Sequence, residues 1–192
     1  FNVGGKSEKI ITIDDDTDPK WQASLSAIVE PHPSDPLTVL FCSEKDGYNH
    51  IYLARLTNGT EDGLTPKSLD PDGLSVPSDA VKVTQLTQGK WQVEWAKWTV
   101  DGKILFSSTE KNTAEREFYI IDPQTGDKLL YPTGDAAFKG SPQLSDSGEK
   151  QILIFDSSKW NVPQDFFVVT VCSGCETSAR PVRLTNTVPE HF

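Results

Sequence analysis

LTVLFCSEKDGYNHIYLARL, residues 37–56, decides the fold. Two runs of strand-type residues flank a polar centre, and Asp46-Gly47 within it supplies the positive backbone φ that a tight hairpin turn requires. The pattern returns twice along the chain. GKILFSSTEKNTAEREFYIID (102–122) and KQILIFDSSKWNVPQDFFVVTV (150–171) each open on an apolar run, cross a polar loop beginning with Ser or Asp, and return through a second apolar run with aromatics. A shorter strand-like piece follows each copy: VKVTQLT, DKLLYPT and RPVRLT. An aromatic-led segment precedes each, at Trp21, Trp91 and Phe138. Val, Ile, Phe, Tyr and Thr dominate the runs, and Gly, Pro, Asn and Asp punctuate them. No stretch shows the 3.6-residue apolar period of a capped helix.

The three copies define a repeating four-stranded unit. Phe41, Phe106 and Phe155 lie 65 and 49 positions apart, and Thr87, Thr133 and Thr185 lie 46 and 52 apart. Propeller blades of four strands run to about 40–50 residues. The long first interval is accounted for by residues 58–80, rich in Gly, Pro, Ser and Asp, which read as a loop inserted between the third and fourth strands. The expected fold is therefore all-β: a β-propeller segment of about three four-stranded antiparallel blades at 17–87, 88–133 and 134–187. Residues 1–16, with SEKIITIDDD, read as the last strand of a preceding blade. Propellers close with about four to eight blades, so this chain is expected to be part of a larger propeller. Met is absent from all 192 residues, position 1 included, so Phe1 is expected to be internal to a longer protein.

Composition limits the partners. Eighteen basic and 28 acidic residues give a net charge of −10 with no basic cluster, a poor match to nucleic acid. No apolar run approaches the roughly 20 residues of a membrane-spanning helix.

Several stretches imitate reaction or binding sites. Ser43, Glu44 and His50 fall within ten residues, which suggests a base or a substrate contact at His50. The Asp-Gly hairpin favours another reading: His50 opens the returning strand, its ring bonded to backbone or to the Glu44 carboxylate. A serine hydrolase needs a G-x-S-x-G elbow, and none is present; His32, His50 and His191 have no partnered nucleophile in sequence. CSGC, Cys172 to Cys175, has half of a zinc site's ligands and lacks the βαβ setting of a redox motif, so a loop disulfide or two exposed thiols are expected. DDDTD (14–18) resembles the start of a calcium loop, but Pro19 and Leu25 stand where the loop needs Gly and Glu. The five tryptophans, Trp21, Trp91, Trp95, Trp98 and Trp160, are expected to fill space between blades. No catalytic residue, metal ligand or cofactor is expected in this chain.

The wording goes further than the repeat. FCSEKDGYNHIYLARL resembles the Ser-Glu-Arg-Asp-Gly-aromatic-x-His-Leu-Tyr segment of the dipeptidyl peptidase IV-like propeller, in the prolyl oligopeptidase family of serine peptidases. KIITIDDDTDPKW is similar to that family's acidic strand ahead of a Trp. QLTQGKWQVEW resembles its Leu-Thr-x-Gly-x-Trp-x-Val strand pair, and KILFSSTEKNTAEREFYIID its next blade, with Glu117 and Phe118 in place of His and Leu. The resemblance covers nearly the whole chain and weakens at 58–80 and after 160. It implies the non-catalytic propeller of a serine-type dipeptidyl peptidase, gating peptide access to a hydrolase domain outside the chain. The implied partners are that α/β-hydrolase domain, the remaining blades and peptide substrates, with a homo-oligomer open. No pair of carboxylates here matches the family's substrate-capturing pair, so no substrate-binding residue is carried over. Alternatives are a stand-alone propeller scaffold for protein partners and the propeller of an acylaminoacyl-peptidase-like relative. The sequon at Asn58 and a Cys172–Cys175 disulfide lean towards the secretory route.

Overall fold

The computed structural model describes residue 13 and residues 28–56, 81–135, 137–172 and 179–187. Among these residues there are twelve strands and no helix. Blade 1 comprises β1 (Val29–Pro31), β2 (Thr38–Ser43), β3 (His50–Leu56) and β4 (Val81–Gln85). Blade 2 comprises β5 (Val93–Trp98), β6 (Ile104–Ser108), β7 (Glu117–Ile121) and β8 (Lys128–Leu130). Blade 3 comprises β9 (Phe138–Asp146), β10 (Lys150–Lys159), β11 (Val162–Cys172) and β12 (Val182–Arg183). Each blade is an antiparallel meander in which neighbours in sequence are neighbours in the sheet. Three such sheets, packed through their faces, form a partial β-propeller. The insertion at 57–80 joins β3 to β4 and lies outside the described residues, as do Trp21, DDDTD, Asn58, Cys175 and His191.

The period of two along each strand makes the stacking. In β6 every residue is buried: Ile104 and Phe106 face blade 1, packing with Leu40, Ile51, Val93 and Trp98, whereas Leu105 faces blade 3 and packs with Phe118, Tyr131, Leu153, Phe155 and Val169. The far face of blade 1 buries Phe41, Tyr52 and Ala54 against Ile13 and Val81. Fully burying each of Phe106, Phe118 and Phe155 contributes about 2–3 kcal/mol. The tryptophans divide. Trp98 is buried and donates from Nε1 to the Glu30 carbonyl at 3.1 Å, and Trp91 and Trp95 pack at blade interfaces. Trp160 corrects the expectation: it is 96% exposed at the β10–β11 hairpin tip, because both strands run almost to the turn and lift it clear of the neighbouring blade.

Cys42 is free and packs against the cluster shared by blades 1 and 2, where burial pushes its thiol up to about 12. At pH 8 the folded protein should therefore react with a thiol-specific chromogenic probe at Cys42 about a thousandfold more slowly than the unfolded chain. Equal rates before and after denaturation would contradict this packing.

Candidate functional site

The hairpin of residues 43–50 places His50 as the first residue of β3, opposite Ser43 and wholly buried. Gly47 makes the turn at φ 97°. Both ring nitrogens of His50 are occupied. Nε2 lies 3.0 Å from the Gly89 carbonyl oxygen and Nδ1 lies 3.1 Å from the Thr87 hydroxyl. A carbonyl accepts and cannot donate, so the network assigns the proton to Nε2, and Nδ1 accepts from Thr87. The Thr87 oxygen in turn accepts the Ile51 amide at 2.9 Å. Trp91 closes the site edge-on to the imidazole, ring centroids 4.8 Å apart, and any side chain at Gly89 would collide with Trp91. Asn49 completes the fastening: its Nδ2 donates to the Val93 carbonyl at 2.6 Å and its carbonyl accepts from Val93 at 2.8 Å. His50 thus bonds the connection between β4 and β5 rather than Glu44, and no ring nitrogen is left to activate Ser43.

Blade 3 repeats the arrangement with different chemistry. Asp165, opposite Ser157, holds the position that His50 holds opposite Ser43. Thr185 donates to Asp165 Oδ1 at 2.7 Å and accepts the Phe166 amide at 2.9 Å, the same two bonds that Thr87 makes. The Thr187 amide adds 3.0 Å to Oδ1, and Arg183 pairs with Oδ2. Burial alone would raise the Asp165 carboxyl, but the bonds from Thr185, Arg183 and Thr187 outweigh it and hold the group below the usual carboxylate range. A depressed acid stabilises the fold above its ordinary range, and that contribution disappears as pH falls through the folded value. Melting temperature followed from pH 7 downwards should therefore fall less steeply below about pH 4 in Asp165→Asn than in the parent chain. Parallel curves would refute the assignment.

Blade 2 departs for a legible reason. Leu86, Tyr131 and Leu184 each donate a backbone N–H to the strand beside them, at Ile51, Phe118 and Phe166. Thr87 and Thr185 come next, whereas Pro132 follows Tyr131 and displaces Thr133 by one residue. Thr133 is therefore not the structural counterpart of the other two threonines. Glu117, opposite Ser108 and 1% exposed, takes its partner from blade 3: Lys139 Nζ on β9 donates to Oε2 at 2.6 Å, with Lys111 3.8 Å from Oε1. Burial holds the Lys139 ammonium below its ordinary range despite the Glu117 carboxylate beside it. His50, Glu117 and Asp165 thus share one position, opposite a serine of the second strand, and one task, fastening a third strand to the chain that leaves or follows its blade. Sequence reasoning singled out His50 and noted Glu117 as a departure, but missed Asp165. The opposed serines Ser43, Ser108 and Ser157 lie seven, nine and eight residues upstream, so no fixed spacing marked the position.

A cleft of about 600 Å³ opens between blades 1 and 2 at the ends of the strands opposite His50, lined by His32, Asp35, Arg55, Lys82, Trp98 and Lys103 among others. His32 Nδ1 accepts the amides of Ser34 at 3.2 Å and Asp35 at 3.0 Å, so its lone pair is spent on the β1–β2 turn. The Thr38 hydroxyl and the Leu37 amide hold the Asp35 carboxyl below its usual range. The walls carry mixed charge, and the Ser34 hydroxyl lies 3.4 Å from the same His32 Nδ1 that already accepts the two backbone amides. Among the described residues no three His, Cys, Asp or Glu side chains converge as a metal site. Cys172 is disulfide-bonded.

Comparison with known proteins agrees with this architecture. The family model of the dipeptidyl peptidase IV N-terminal region matches residues 3–162. Among solved structures, a Bacteroides ovatus protein described as a dipeptidyl aminopeptidase IV matches 79% of this chain with a TM-score of 0.50 and 20% sequence identity. At that identity the likeness speaks to the fold. This chain spans 21% of that protein's length.

Proposed function

Because the chain belongs to the family of dipeptidyl peptidase IV N-terminal regions, we propose that it is the non-catalytic propeller portion of a serine peptidase. In this reading the propeller covers an α/β-hydrolase domain elsewhere in the same protein and admits short or unfolded peptides to it. The observation that carries the reading is the use made of the polar interior. His50, Glu117 and Asp165, three of the buried groups that could do acid–base work, are committed to holding strands together. The chain also lacks a G-x-S-x-G elbow. Its partners are then the hydrolase domain and the remaining blades, and the chemistry belongs to the former.

The full-length open reading frame tests this first. A G-x-S-x-G followed by Asp and His beyond residue 192 supports the peptidase, whereas further blades alone would favour a scaffold and overturn it. The full-length protein should release Xaa-Pro dipeptides from short peptides and leave the same sequence uncut at the terminus of a folded domain. Equal cleavage of both would refute the gating role.

A further inference from the structure

Blade 3 turns outward a sheet face whose counterparts are buried in the other two blades. The backbone bonds from Leu86 to Ile51, Tyr131 to Phe118 and Leu184 to Phe166, 2.8, 2.8 and 2.7 Å long, make Ile51, Phe118 and Phe166 structurally equivalent. Ile51 and Phe118 are fully buried by the blade that follows, whereas Phe166 is 44% exposed. Ile154 and Leu184 are exposed beside it. The residues paired with the three equivalent positions are Cys42, Ser107 and Asp156. Blade 3 thus places a carboxylate where blades 1 and 2 carry a thiol and a hydroxyl.

Asp156 is 1% exposed, and its Oδ1 has no hydrogen-bond partner. It lies over Gly140, where a Cβ would come within 3.1 and 3.2 Å of the two carboxylate oxygens. An uncompensated buried carboxylate is costly and calls for a partner. The other two buried acids of this set each have a cation. Glu117 receives Lys139 from the first strand of the following blade, and Asp165 receives Arg183.

We infer that the outward face of blade 3 docks a fourth sheet of the same propeller, and that this sheet brings a Lys or Arg side chain to Asp156. The docking half rests on the function proposed above; the charged contact at Asp156 is a separate claim. Amide hydrogen exchange over β10 and β11 in the full-length protein separates the two. Ile154→Lys should speed exchange there about tenfold or more by lifting the covering sheet. Asp156→Asn should do the same by leaving a buried cation unpaired. If Ile154→Lys speeds exchange and Asp156→Asn does not, the cation is refuted and the docking stands. If neither changes exchange, the face is uncovered and the propeller reading falls with it. If Ile154→Lys instead converts a dimer of the full-length protein to a monomer, a second copy covers the face and the inference fails.

Discussion

Replacing Lys139 with Ala should lower the stability of the folded chain by about 3–5 kcal/mol, because it strips the close cation from a buried carboxylate. Glu117 would keep Lys111, but that ammonium stands 3.8 Å away and is about half exposed, so it compensates poorly. For a domain of this size the loss corresponds to a fall in melting temperature of about 10 °C. Replacing both partners, Glu117→Leu with Lys139→Met, should recover most of it, since an apolar pair avoids the desolvation that a buried ion pair must overcome. The depressed ammonium of Lys139 agrees: burial costs this charge more than its partner returns. A double-mutant cycle by urea denaturation checks the point. Additive single losses, with no recovery in the double variant, would show that the two side chains act separately.

His50→Ala should cost about 3 kcal/mol, made up of two lost hydrogen bonds and a cavity against Trp91. His50→Phe separates the parts. It fills most of the volume but leaves the Thr87 hydroxyl and the Gly89 carbonyl without their ring partner, so roughly 1–3 kcal/mol of destabilisation should persist. A Phe variant as stable as the parent chain would mean that the imidazole acts by shape alone. If the full-length protein is the peptidase proposed above, either variant should reduce its activity in step with the fraction unfolded, because His50 fastens a strand. Loss of activity in a fully folded variant would return His50 to the chemistry.

The fold was readable because its signals are local. The Asp46-Gly47 turn, the strand-type runs and the insertion before Val81 are all written in contiguous residues, and the threefold repeat multiplied them. The fastenings were not readable, because their partners are remote. His50 meets residues 37 and 39 positions away, and Glu117 meets Lys139 across a blade boundary. A single inserted proline was enough to mislead the repeat: Thr133 aligns in sequence but sits one residue beyond the reach that Thr87 and Thr185 have. Trp160 failed as a core residue for a related reason, since strand length, which pattern reading places poorly, carries it to a hairpin tip. The words that carried the family resemblance, DGYNH and QLTQGKW, turn out to be the two halves of the His50 fastening.

The most direct test of the account is to label the full-length protein with a fluorophosphonate, which modifies the nucleophile of serine hydrolases, and to map the modified peptide. The account predicts one labelled serine, in a G-x-S-x-G sequence outside residues 1–192. A label on any serine within these blades, or none anywhere in the folded protein, would contradict it.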